Sequence, residues 1–240
     1  MKNQYFGDVN DYRKYGLLRC IAEATGLPIG VLWMLTKDDG RSDGEFRRYL
    51  ADGSVWSRHD AKLHDALSRL LVPGETRRVT HAERWGLVPG ATYFDHVFPD
   101  AALARAAVFQ EACKKLSPCP FVFLDPDNGV EVKSVSYGRK RSSKYVYWSE
   151  MATLFERGHS LLVYQHYQRV KRSAFEDSLA EKFRSRLGAK DVAVFSTPHV
   201  AFFLALQESH AVHLPGIRAT VGARWRGQIE ARAGSRPGEA

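Results

Sequence analysis

The chain has 240 residues, 44% of them hydrophobic, with 35 Lys plus Arg against 27 Asp plus Glu. That length suits one large α/β domain or two small ones, and a net charge of +8 favours polyanionic partners, nucleic acid first. No apolar run approaches the ~20 residues of a membrane span, which excludes a helical membrane protein.

Met1-Lys2-Asn3-Gln4 lacks the apolar centre of a secretory signal. Cys20, Cys113 and Cys119 are odd in number and lack metal spacing, as expected of free thiols in a reducing cytoplasm. The polar opening offers helix caps at Asp8 and Asp11, and a helix is predicted from about Asp11 to Ala24, ended by Gly26 and Pro28. Ile29 to Leu35 reads as the first core strand. It opens into the polar, glycine-rich loop Thr36-Lys37-Asp38-Asp39-Gly40-Arg41-Ser42-Asp43-Gly44. Leu63, Leu67, Leu70 and Leu71 predict a helix from about Asp60. Ala91 to Phe98 is expected as a strand, and Asp100 as the cap of a helix running to Leu116.

Phe121-Val122-Phe123-Leu124 then runs straight into Asp125-Pro126-Asp127-Asn128-Gly129. A short apolar run bounded by turn residues is the pattern of a strand buried on both faces in a parallel sheet. Pro126 has no amide hydrogen for a ladder and Asn-Gly favours a turn, so the strand ends near Asp125. Ligands of open α/β sheets bind at the carboxyl ends of strands, which makes this turn the candidate site. Residues 126–144 follow as a basic loop, and Tyr145 to Glu156 as a helix whose Tyr145, Tyr147 and Trp148 read as core. A strand Ser160–Tyr164 and a helix carrying Phe175, Leu179, Phe183 and Leu187 come next. Val192–Ser196 and Ala201–Leu206 are separated by four residues, too few for a parallel crossover, so they pair antiparallel. The expected architecture is a Rossmann-like, mostly parallel sheet finished by that hairpin, in a single domain over 1–230, with a disordered tail at 231–240.

Three segments resemble bacterial amino-methyltransferases that modify adenine in ribosomal RNA, on the class I methyltransferase fold. Phe6-Gly7-Asp8-Val9-Asn10-Asp11-Tyr12-Arg13-Lys14-Tyr15 looks like the N-terminal Gly-Asn-x-Ala-Asp-x-x-Lys-His segment of that family. Asp125-Pro126-Asp127-Asn128 stands where the family has Asp-Pro-Pro-Tyr, and Leu162-Val163-Tyr164-Gln165-His166 resembles its next strand. The resemblance implies S-adenosylmethionine as cofactor, held by Thr36, Asp38, Asp39, Gly40, Asp8 and Asp11. It also implies Asp125, Asp127 and Asn128 as the catalytic turn, with Asp125 accepting a hydrogen bond from the target amine. Asp127 replaces the second proline, Asn128 replaces the aromatic that stacks on a flipped base, and the first loop lacks the family's glycine run.

Lys133, Arg139, Lys140, Arg141 and Lys144 follow the acidic turn and are expected to meet phosphates. A competing chemistry uses the carboxylates of Asp125, Asp127 and Glu131 to hold Mg²⁺ for nuclease or phosphoryl-transfer work. A third reading is a nucleic-acid-binding protein that keeps the fold without the cofactor. Asp8 and Asp11 read most simply as helix caps, and His166 and His199 as structural histidines.

Overall fold

The computed structural model describes residues 1–38, 40, 44–71 and 76–233. In chain order it contains α1 (Val9–Thr25), β1 (Ile29–Leu32), α2 (Gly53–Trp56), α3 (Ala61–Leu70), α4 (Thr80–Arg84), β2 (Thr92–Phe94), α5 (Ala102–Leu116), β3 (Phe121–Leu124), β4 (Gly129–Val130) and β5 (Tyr145–Val146). Then follow α6 (Trp148–Glu156), β6 (Ser160–His166), α7 (Arg172–Leu187), β7 (Asp191–Ser196), β8 (Val200–Leu206), α8 (Leu214–Arg224) and β9 (Glu230–Ala233).

Seven strands form one sheet in the order β2-β1-β3-β6-β8-β7-β9. β2, β1, β3 and β6 are mutually parallel, while β8 runs antiparallel between β6 and β7. The fold is therefore α/β and Rossmann-like, with the reversed C-terminal hairpin expected from its short turn. From β1 the chain moves outward to β2 and then returns to β3 on the other side. The ends of β1 and β3 thus form a switch point.

The strands read as continuous apolar runs because both faces are covered. On one face Val31, Phe123, Leu162 and Phe202 pack with Tyr12 of α1, Leu67 of α3 and Ile217 of α8. On the other, Leu32, Val122, Val163 and Phe203 meet Phe109 of α5, Met151 of α6 and Phe183 of α7. Gly16 is required where α1 meets the end of α8, since a Cβ there would lie 1.8 Å from the Trp225 ring.

Several local expectations are revised. Asp100 does not cap α5, whose N-cap is Ala101; its carboxylate accepts from the Arg141 and Ser143 amides, both at 2.8 Å, and so folds the basic loop back. Tyr145 and Val146 are not helical but pair in parallel with Gly129 and Val130 as a small second sheet. β9 pairs with β7, so strand structure reaches Ala233, inside the segment expected to be a tail; residues 234–240 lie outside the described residues. Among the described residues no helix is long and apolar enough to cross a membrane.

Candidate functional site

Asp8 caps α1, its Oδ1 accepting from Asn10 N at 2.7 Å and Asp11 N at 3.0 Å. Asp11, at the third helical position, reaches back to accept from Gly7 N at 3.0 Å. The capping assignments thus hold, and this reciprocal arrangement resembles a capping box. Asp11 has a second partner, because Lys14 lies one turn on. Lys14 Nζ donates to Asp11 Oδ1 and to Asp125 Oδ2, both at 2.7 Å, and so joins α1 to the end of β3. The Lys14 ammonium also lies over the rings of Trp33 at 5.5 Å and Tyr164 at 5.3 Å.

A cavity of about 500 Å³ opens at this end of the sheet, a size usual for small-molecule sites. Its lining brings together Asp8, Asp11, Asp125, Asp127 and Asn128. Phe46, Lys144, Tyr164, His166 and His199 line it as well. Asp127 is buried, at 6% exposure. Its Oδ2 faces Lys144 Nζ at 3.0 Å and Lys2 Nζ at 3.8 Å, whereas its Oδ1 has no hydrogen-bond partner among the described residues. The turn keeps its shape through Gly129, at φ 114°, where the Gln165 side chain fills the space of a Cβ and accepts from Val130 N at 2.8 Å.

Burial dominates the electrostatics. It raises the Asp125 carboxyl, with Lys14 opposing and Asp11 reinforcing the rise. It raises Asp8 too, helped by the neighbouring Asp11 charge. Burial works against the charged form of Lys14, but Asp11 and Asp125 outweigh it and lift that pKa. His166 lies exposed at the rim, yet the protein around its ring lowers its pKa, with Asp127 pulling the other way.

The other sequence-derived candidates lie elsewhere. Thr36 N donates to Met1 O at 2.8 Å, Asp38 Oδ1 accepts from Gln4 N at 3.2 Å, and neither they nor Gly40 lines the cavity. Asp39 falls outside the described residues. The crevice between the ends of β1 and β3 is occupied by Met1, whose amino group donates to Asp125 O at 3.1 Å and Met34 O at 3.3 Å. Lys133, Arg139, Lys140 and Arg141 are exposed. Lys144 differs from them: it turns inward onto Asp127.

Glu131 does not join Asp125 and Asp127. Its Oε1 accepts from Trp148 N at 3.0 Å, and it lines a separate cleft. No group of three or more His, Cys, Asp or Glu side chains among the described residues could hold a metal ion, which corrects the Asp125, Asp127 and Glu131 triad.

Sequence reasoning gave no role to Lys14, Lys2 or Phe46, and read His199 as structural although it lines the cavity. A signal for Lys14 existed: a lysine spaced three from Asp11 on a helix has a carboxylate within reach, and Tyr15 follows it directly. Compared with known proteins, the chain matches no family model and no curated protein.

Proposed function

We propose that this chain acts on an amino group of a nucleic acid, and that the cavity beside Asp125–Asn128 is where that group is held. The observation that carries the reading is the unpartnered Oδ1 of buried Asp127. An amine supplies N–H donors, and a buried acceptor without a partner is costly until a donor reaches it. The acceptor role expected of Asp125 passes to Asp127 in this reading, because Asp125 is already held by Lys14. Asp125, Lys14 and Asp11 then fix the end of β3, and Lys2 and Lys144 fix the other oxygen of Asp127. The net charge of +8 and the exposed cations of the 133–141 loop support a polyanionic substrate.

Methyl transfer is the reaction that the resemblance implies, but S-adenosylmethionine does not fit where the resemblance would place it. Met1 occupies the crevice between β1 and β3, and Thr36, Asp38 and Gly40 are turned to other partners or away from the cavity. No step is therefore derived through that cofactor.

The test is a thermal-shift series on the full chain with S-adenosylmethionine, Mg²⁺, single-stranded RNA and single-stranded DNA, alongside transfer of labelled methyl groups into nucleic acid. A ligand selective for the folded state raises the melting point by mass action, worth about 2.7 kcal/mol at a hundredfold excess over Kd. Nucleic-acid binding weakened in Asp127→Ala, which removes the acceptor, is the expected result. Absence of transfer removes the methyl reaction. Absence of any nucleic-acid binding removes the whole reading, and cleavage that requires Mg²⁺ would replace it with phosphoryl transfer.

A further inference from the structure

Glu131 lines a cleft of about 290 Å³ between β4, the start of α6 and α7, separate from the cavity at the Asp127 turn. Gln165 stands between the two: it lines the cleft, while its amide packs against Gly129 of the turn. The volume lies at the small end of the range for small-molecule sites, which suits a compact ligand.

Glu131 is fixed at two points. Its backbone amide donates to Val146 O at 2.8 Å, and its Oε1 accepts from Trp148 N at 3.0 Å. Among the described residues its Oε2 has no donor, and no cation pairs with the carboxylate. Lys182 of α7 lines the same cleft, is exposed, and has no ion-pair partner among the described residues either. The rest of the wall includes Val130, Phe175 and Leu179. Val170, 58% exposed, also lines it and offers an apolar surface for a ligand to cover. An unpaired anion and an unpaired cation thus share one partly apolar cleft without closing on each other. A ligand with a positive charge alone would meet Lys182, and one with a negative charge alone would meet Glu131. A zwitterion satisfies both, through charge-assisted hydrogen bonds.

We infer that this cleft binds a free α-amino acid with an apolar side chain. Its ammonium donates to Glu131, its carboxylate accepts from Lys182, and its side chain packs on Val130, Phe175 and Val170. An α-amino acid carries both charges at one end and leaves the rest of the molecule apolar, which is what the wall requires. The inference is independent of the reading of Asp127, and its failure leaves that reading untouched.

The experiment is calorimetric titration of the full chain with leucine, leucinamide, 4-methylpentanoic acid and glycine. Leucinamide keeps the ammonium and the apolar body but has no carboxylate. 4-Methylpentanoic acid keeps the carboxylate and the body but has no ammonium, and glycine has both charges and no body. Leucine is expected to bind, and each one-charge analogue to bind about tenfold more weakly or worse, for the loss of one charged hydrogen bond. Glycine should bind most weakly, because it buries no apolar surface. Glu131→Gln should bring leucine down to the level of 4-methylpentanoic acid, and Lys182→Met should bring it down to that of leucinamide.

Failure of leucine to bind overturns the inference. Leucinamide binding as well as leucine overturns it in favour of a simple cation site, and 4-methylpentanoic acid doing so overturns it in favour of an anion site. Leucine affinity that survives both substitutions places the ligand elsewhere and overturns it too. Gln at position 131 keeps an acceptor for Trp148 N and Lys182 is exposed, so both variants should fold, which circular dichroism checks.

Discussion

Two clusters of buried charge lie on opposite sides of the central sheet. Arg105 on α5 is fully buried; it donates from Nε to Glu150 Oε1 at 2.7 Å and from Nη2 to Glu150 Oε2 at 2.9 Å. Its remaining donors reach the carbonyls of Ser142 at 2.9 Å and Tyr145 at 2.7 Å, and the rings of Phe98, Tyr137 and Tyr147 surround the guanidinium. One cation meets one anion, every guanidinium nitrogen has an acceptor, and the pair ties the end of the basic loop to α5 and α6. The Lys14 cluster is built differently. One ammonium serves two carboxylates, Asp8 adds a third beside them, Asp127 keeps an empty oxygen, and a cavity opens onto the group. A satisfied, closed network rigidifies structure, whereas an incompletely satisfied, open one retains capacity to bind. The contrast locates scaffold at Arg105 and site at Lys14.

Breaking the scaffold should have the largest effect. Arg105→Met strands Glu150 in the core and orphans two carbonyls, and losing one partner of a buried pair costs about 3–5 kcal/mol. Urea denaturation should show the midpoint falling accordingly; a loss below about 1 kcal/mol would mean that water reaches Glu150 and that the two clusters are alike.

Lys14→Met comes next, at roughly 2–3 kcal/mol near pH 8, because the cavity lets water partly replace the ammonium. Its loss should also depend on pH. Asp125 is already raised above the usual 3.8, and removing Lys14 raises it further. A carboxyl raised in the folded state contributes stability that is full below the unfolded value and lost as pH rises through the folded one. The Lys14→Met penalty should therefore shrink toward pH 4 and grow toward pH 8. A penalty that is flat across that range would show that the carboxylates do not depend on the lysine for their charge.

Asp8→Asn tests the site more gently, since Asn is as good an N-cap as Asp. Burial and Asp11 raise Asp8 from 3.8, so by the same sign the wild type loses stability as pH rises while the variant does not. The variant should match wild type near pH 4 and exceed it at pH 8, the gap opening as pH rises toward about 7, to which burial and Asp11 lift the carboxyl. Equal stability at both pH values would place Asp8 in contact with water and outside the coupled cluster.

The legible part of this molecule is what local chemistry alone decides. The run Phe121–Leu124 ending in Asp-Pro is a buried strand stopped by a residue without an amide hydrogen, and the structure ends β3 at Leu124. The four-residue link between β7 and β8 left no choice of direction. The Asp125–Asn128 turn and Asp8 with Asp11 do meet at one cavity, because a parallel sheet collects strand ends and the following loops on one edge. What stayed hidden depends on contacts distant in sequence. Nothing near Lys14 announces Asp125, 111 residues away, and nothing near Arg105 announces Glu150. Asp100 looks like a helix cap by position, yet the amides of Arg141 and Ser143 claim it. Phe46 sits in a stretch with no periodicity, where an aromatic residue signals neither core nor site.

The smallest effect on stability, and the sharpest test of what the open cluster serves, comes from the exposed cations. Arg139, Lys140 and Arg141 are exposed, so replacing all three by Ala should change stability by less than about 0.5 kcal/mol per site. Lys144 is excluded from that set because its ammonium is spent on Asp127. If the three side chains meet phosphates, the slope of log K against log salt should fall by about 2–3, since each phosphate contact on single- or double-stranded nucleic acid contributes ~0.7–0.9. Binding measured between 50 and 200 mM salt reads this directly, and the affinity should drop most at the lowest salt. An unchanged slope would move the polyanion track to Arg169 and Lys171, exposed between β6 and α7 on the same edge of the sheet and directly after His166 at the cavity rim. Either result keeps the comparison intact, because both loops rise from the edge where the Lys14 cluster opens, and the Arg105 pair serves only to hold one of them there.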